Sequence, residues 1–165
     1  MDKWSVIQYL EERAEDFYKL SDKIWENAET RFKEKQSVKD YVAFLENEGF
    51  KVTVGDAGLK TGFHARWGSG KPVIGFLGEY DALAGLSQKA GVSVKEPLAK
   101  EGNGHGCGHN LLGVGALMGV WALSIIWKRK KNPEPWCFSD ALPRRVEAEK
   151  HLWLGRVALI SLIWH

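Results

Sequence analysis

"VIGFLGEYDALAG", residues 73–85, is the stretch on which the fold turns. Its first five residues form a continuous apolar run, the pattern of a strand covered on both faces. The run leads straight into two carboxylates, Glu79 and Asp81, a position where open α/β sheets gather functional side chains. Upstream, Trp4, Ile7, Ala14, Phe17, Leu20 and Ile24 recur at helical spacing among Glu, Asp and Lys, which predicts one amphipathic first helix with a buried stripe. A second helix is expected from Ser37, as its N-cap, through Val38, Tyr41, Val42 and Leu45, with Gly49 placed to end it. Short strands are expected at 50–54 and 62–67. Helices first, then strands, then a buried strand ending in acidic residues indicate an α/β domain.

Downstream, the segment 84–104 is rich in Gly, Ser and Lys and reads as a loop. It delivers the chain into "NGHGCGHNLLGVGAL", residues 103–117, where His105, Cys107 and His109 alternate with glycines. Thiolate and neutral imidazole together suit zinc and its neighbours. In an extended segment, Cys107 and His109, two apart, would point to the same side. Gly106 and Gly108 leave room around a metal and tolerate unusual backbone angles. A glycine-rich turn with a buried thiol and a histidine bonded to backbone accounts for the same residues, and spacing alone leaves both readings standing. Glu79 and Asp81, as carboxylates past a buried strand, become candidates for metal binding or for orienting a ligand once this segment is brought near them.

From Leu111 to Trp127 every residue is apolar, Gly or Ser, and "KRKK" follows. Those residues sit at the lower edge of transmembrane length with a basic flank of the stop-transfer kind. A buried helix beneath the sheet is the preferred reading, because a membrane span here would press the Cys/His segment against the bilayer.

Composition narrows the classes. The 165 residues are enough for about one domain, and 44% hydrophobic with 27% charged content reads as globular. A net charge of +2 gives no electrostatic footprint for nucleic acid. The charge is uneven: residues 1–120 carry 15 Lys and Arg against 17 Asp and Glu, a net of −2, and residues 121–165 carry 8 against 4, a net of +4. Five of the eight tryptophans also lie after residue 120. Two cysteines, Cys107 and Cys137, make no disulfide framework, and the first residues lack a basic leader followed by an apolar core, so a reducing cytoplasm is expected.

"GKPVIGFLGEYDALAGLSQKAG" followed by "NGHGCGHNLLGVGAL" resembles the zinc amidohydrolase and carboxypeptidase family of aminoacylase-like metallopeptidases, in its p-aminobenzoyl-glutamate hydrolase branch. "IWENAETRFKE" resembles that branch as well, so the likeness covers about residues 1–120. It implies an incomplete zinc-exopeptidase-like catalytic domain, helices packed on a mixed sheet, with the family's dimerisation domain absent. It also implies a divalent metal, zinc or manganese, two ions in the intact family, and a small-molecule amide or peptide as substrate. On this resemblance Cys107 and His109 are metal ligands, Asp81 is the acidic residue that bridges or steers the metals, and His105 acts from behind the ligands. Glu79 falls where other branches place a metal-binding His.

The family also has a Cys-Pro-Ala-Glu-Glu segment a few dozen residues after the Cys-Gly-His triplet, whose first Glu is the general base and whose second is a ligand. No adjacent Glu pair follows residue 109 here. Back-translated with degenerate codons and read from the third base of each, "SDALPRRVEAEKHLWLGR" permits Cys-Pro-Ala-Glu-Glu followed by further family-like residues. Residues 121–165 therefore read as a tail in the wrong frame, with the slip between Val114 and Trp121. The expectation is a metallo-amidohydrolase by ancestry with little or no activity. A small membrane-associated protein and a non-catalytic metal-binding module are the alternatives.

Overall fold

The computed structural model describes residues 3–55, 58–68, 74–129 and 136–138. Its elements in chain order are α1 (Lys3–Glu12), α2 (Ala14–Asn27), α3 (Lys35–Asn47), β1 (Lys51–Val54), β2 (Phe63–Trp67), α4 (His109–Arg129) and β3 (Trp136–Phe138). The sheet runs β1-β2-β3 and both of its pairings are antiparallel. A parallel contact appears outside it, as the isolated bridge between Thr30 and Ala82.

The single first helix expected from periodicity is two helices. Arg13 breaks the run at φ −110°, and its guanidinium binds Asp16 at 2.6 Å and Glu48 at 2.5 Å. Only the second half carries the buried stripe: Phe17, Leu20 and Ile24 are buried, whereas α1 buries no residue and Trp4 is 74% exposed. Each fully buried side chain of that size contributes about 1.5–3 kcal/mol of transfer free energy, so α2 is fastened to the core and α1 lies over it.

α3 starts at Lys35, two residues before the expected cap. Ser37 is buried within the helix, and Glu29 from the preceding loop does the capping: its carboxylate accepts from the backbone N–H of Gln36 and Ser37 at 2.9 Å. A negative charge there also meets the positive end of the helix dipole. Gly49 ends the helix as expected. At φ +84° it donates to Glu46 O, and Phe50 N–H reaches back to Leu45 O, both at 3.0 Å, the paired bonds of a Schellman motif.

β1 and β2 pair in register from Lys51 opposite Arg66 to Val54 opposite Phe63. Phe63 and Ala65 face inward on to α3 and α4, and β3 pairs along the other edge of β2. The apolar run at 74–77 pairs with no strand among the described residues. It is not a strand. Ile74 and Phe76 lean on the core while Leu77 is 70% exposed, and the next backbone pairings are the isolated bridges at Ala82 and Leu83. The segment 84–104 is a loop, as expected, pinned by Ser87 N–H to Gly102 O and Gln88 Nε2 to Val94 O.

α4 runs through the middle. Val114, Leu117, Val120, Trp121 and Ser124 form one buried stripe against α1, α2 and the aromatic cluster of Tyr41, Phe63 and Tyr80. Over His109–Ile126 it is long and apolar enough to cross a membrane, with a mean hydropathy of 1.6, but its stripe is spent on this core. Trp121, at the expected domain boundary, packs edge-on to Phe17 and donates its indole N–H to Glu48 at 2.8 Å. The expected boundary at 120/121, and with it the reading of the tail, falls mostly on residues outside those described.

Candidate metal centre

His109 is the first residue of α4, and the turn before it decides where its ring goes. The segment is not extended. Gly108 N–H donates to His105 O at 2.9 Å, and Gly108 itself sits at φ +71°, a left-handed conformation that suits a glycine. Leu111 and Leu112 then close the first helical turn on Gly108 O. Cys107 is left exposed and His109 turns inward, 5% exposed.

The imidazole is held from both sides. Asp81 Oδ1 lies 2.7 Å from Nδ1 and Glu79 Oε2 lies 3.1 Å from Nε2. Asp81 is itself 4% exposed, and its segment is fixed by Ala82 N–H to Glu29 O and by the Leu83–Gly104 bridge. With Asp81 accepting from Nδ1–H, Nε2 is the nitrogen turned toward Glu79, the carboxylate–imidazole arrangement that orients metal-binding histidines. Glu79, Cys107 and His109 line one open cavity of roughly 760 Å³ together with Leu111, Leu112 and Ala116.

His105 does not join this group. Its Nε2–H donates to Ile24 O at 2.9 Å, which ties the turn to α2, and its ring lines a different cavity with Trp25 and Leu86. Burial lowers its pKa below the usual histidine value. Asn110 adds a second tie, from Nδ2 to Ser21 Oγ at 3.2 Å. The fold thus brings Asp81, His109, Glu79 and Cys107 to one place, with Asp81 behind the ring and Glu79 and Cys107 beside the cavity.

One buried acid was missed. Glu34 is 1% exposed, accepts from Thr61 Oγ1 at 2.7 Å, and sits behind Tyr80, whose hydroxyl donates to Thr61 O. Burial pushes its carboxyl above the usual range, with Asp81 adding to the rise. Nothing in "RFKEKQ" marks it, since a Glu among lysines at a helix start reads as solvated.

A divalent ion fits the donor chemistry of Cys107 and His109. Among the described residues no three His, Cys, Asp or Glu side chains stand together as a ready-made cage.

No family model matches the chain. Over 104 residues it is 48% identical to a subunit of the p-aminobenzoyl-glutamate hydrolase of Escherichia coli (strain K12), a match covering 63% of this chain and 22% of that protein. The fold is shared with an aminohydrolase from methicillin-resistant Staphylococcus aureus, at TM-score 0.70 and 19% identity over 94% of this chain and 41% of the other. It is also shared with the Bacillus subtilis YXEP protein, described as a dinuclear metal-binding peptidase of the M20 family, at TM-score 0.61 and 22% identity over 84% and 39%. The resemblance carried by the two long motifs and the partial α/β fold are thereby borne out. The chain spans about a fifth of the curated relative's length.

Proposed function

We propose that this chain carries the amino-terminal part of a metal-dependent hydrolase that cleaves amide bonds in N-acyl amino acids or small peptides, aminobenzoyl-glutamate-like compounds among them. The observation that carries the reading is the Asp81–His109 contact at 2.7 Å, which aims Nε2 at the cavity that Cys107 also lines. The identity with a p-aminobenzoyl-glutamate hydrolase component supports the substrate class, and the dinuclear description of a structural neighbour supports a divalent metal, zinc or manganese.

Cys107 and His109 are the residues that would hold the ion. When bound, such an ion acidifies water and polarises the scissile carbonyl. The chain's own contribution is placement. Asp81 fixes the tautomer and angle of His109, Gly108 lets the chain turn so that ring and thiol share a cavity, and Leu111 and Leu112 give it an apolar wall. A reducing cytoplasm suits a thiolate ligand at Cys107. The curated relative is named as one subunit of its hydrolase, which supports a partner chain in the working enzyme.

The resemblance places the general base in a Glu-Glu segment, and no adjacent Glu pair occurs between His109 and His165. We read residues 121–165 as out of frame because "SDALPRRVEAEKHLWLGR" back-translates, from the third base of each codon, to a Cys-Pro-Ala-Glu-Glu segment, and loss of a general base costs about 10²–10⁴ in rate. The 165-residue chain is therefore expected to bind metal but to turn over slowly. Glutamate release from an aroyl-glutamate, measured with zinc or manganese, tests this. Full metal-dependent turnover lost in Cys107→Ser and His109→Ala would keep the hydrolase and overturn the inactivity. The nucleotide sequence over codons 114–121 tests the frame.

A non-catalytic metal-binding module is the second reading, favoured by the same missing base. Metal titration without turnover in any longer reading frame would select it.

A further inference from the structure

Asp81 is gripped through both of its neighbours. Tyr80 donates its hydroxyl to Thr61 O, and Ala82 N–H donates to Glu29 O at 2.7 Å beside the Thr30–Ala82 bridge. Both grips lead to one side chain. Glu34, 1% exposed, accepts from Thr61 Oγ1 at 2.7 Å, so it holds the residue to which Tyr80 is tied. Its carboxyl also meets the backbone N–H groups of Phe32 and of Glu34 itself, in the loop that carries Glu29 and Thr30. That loop is strained: Phe32 stands at φ +66°, a left-handed conformation rare for a bulky residue, and such strain persists only where surrounding groups enforce it. The same buried acid thus braces the backbone on either side of Asp81.

We propose that Glu34 is a positioning residue for the site: it fixes Tyr80 and Ala82, and through them the carboxylate that orients His109. The inference rests on the metal-site reading above and adds to it a residue outside the cavity lining. Its rival is an acid that only stabilises the fold. The two roles differ in where the damage goes. A positioning residue transmits its loss to His109, whereas a packing residue lowers stability and leaves the folded site as it was.

The full 165-residue chain is titrated with zinc against a chromophoric chelator, and the metal-free chain is followed by NMR at the low-field Nδ1–H proton of the His109–Asp81 bond, assigned by its absence in His109→Ala. Glu34→Met keeps the bulk and removes every acceptor, Glu34→Gln keeps a carbonyl acceptor, and Leu45→Ala is a core control that also loses stability, as urea denaturation reads. The expected result is that Glu34→Met weakens zinc binding about tenfold, the lower end of what loss of a ligand's outer partner costs, and shifts or broadens the His109 signal. Glu34→Gln should restore both, and Leu45→Ala should alter neither. Zinc affinity and the His109 signal unchanged in folded Glu34→Met overturn the proposal, and so does an equal loss in Leu45→Ala. If Glu34→Met does not fold, Thr61→Val, which removes only the hydroxyl that Glu34 accepts from, decides: a moved His109 signal supports the proposal and an unmoved one overturns it. A wild-type chain that binds no zinc overturns the underlying site reading instead, and the His109 signal still judges Glu34.

Discussion

The two ends of α4 show the same helix put to different uses. At its N-terminus His109 stands between two carboxylates, with a large cavity on one side and Leu111 and Leu112 exposed beside it. Further along, Val114, Leu117 and Val120 are buried, and Trp121 lies under Arg13, 5.2 Å from guanidinium to ring, with its indole bonded to Glu48. Both ends concentrate charge. At the far end two acids meet a permanent cation: Arg13 binds Asp16 and Glu48, and Glu48 also takes the indole N–H. At the near end two acids converge on one imidazole, a titratable group in place of a guanidinium. A helix N-terminus offers only about half a positive charge against them. Stability and chemistry are separated along about 18 Å of helix, at 1.5 Å per residue.

Substitution at the two ends should break that separation in different ways. The largest effect is expected at the packed end. Trp121→Ala should lower unfolding free energy by about 3–5 kcal/mol, read by urea denaturation, and the folded fraction should bind zinc as wild type does. An equal loss of zinc affinity there would show that the two ends are one unit. Trp121→Phe, which keeps most of the ring and removes only the bond to Glu48, should cost less. Gly113→Ala sits between the ends. A Cβ at that position runs into the Tyr41 hydroxyl and the Glu79 carbonyl, so overpacking of about 1–3 kcal/mol should appear together with a shift in metal affinity.

At the site end the readout changes. Asp81→Asn should leave the fold intact and weaken zinc binding about 10–100-fold, the usual consequence of removing the carboxylate that orients a histidine ligand. A competition titration measures it, and unaltered affinity would separate Asp81 from the site. The smallest effect is expected at Glu34. Its folded-state carboxyl is raised by burial, so it favours the fold in its protonated form, and that contribution is lost as pH rises from the ordinary carboxyl range through the raised value. Glu34→Gln should flatten this limb of the stability–pH curve, as followed by thermal melts across acidic to neutral pH.

Much of this was legible in the chain because the features were local. The stripe at Phe17, Leu20 and Ile24, the stop at Gly49, the two strands of the hairpin and the apolar helix after His109 are all set by neighbours within a turn or two. Asp81, His109, Glu79 and Cys107 were legible as residue types of matching chemistry, and the resemblance of two long motifs brought them together. The failures have one cause. Arg13 breaks the first helix because it answers Glu48 and Trp121, 35 and 108 positions away. Ser37 loses the cap to Glu29, which reaches over from the loop. Residues 74–77 look like a strand in isolation, yet Ile74 and Phe76 are spent on the core and pair with no strand among the described residues. Glu34 looks solvated until Thr61 and Tyr80 close over it. Each outcome was decided by a partner that periodicity does not see.

The break at Arg13 also sets the order in which the molecule comes apart. No residue described N-terminal to it is fully buried, Tyr9 and Leu10 only leaning on the core, so α1 can lift away while Arg13 keeps its grip on Glu48. Amide hydrogens of Lys3–Glu12 should therefore exchange with solvent well ahead of those in α2, and a protease given limited time should trim the chain back to that arginine before it reaches the core.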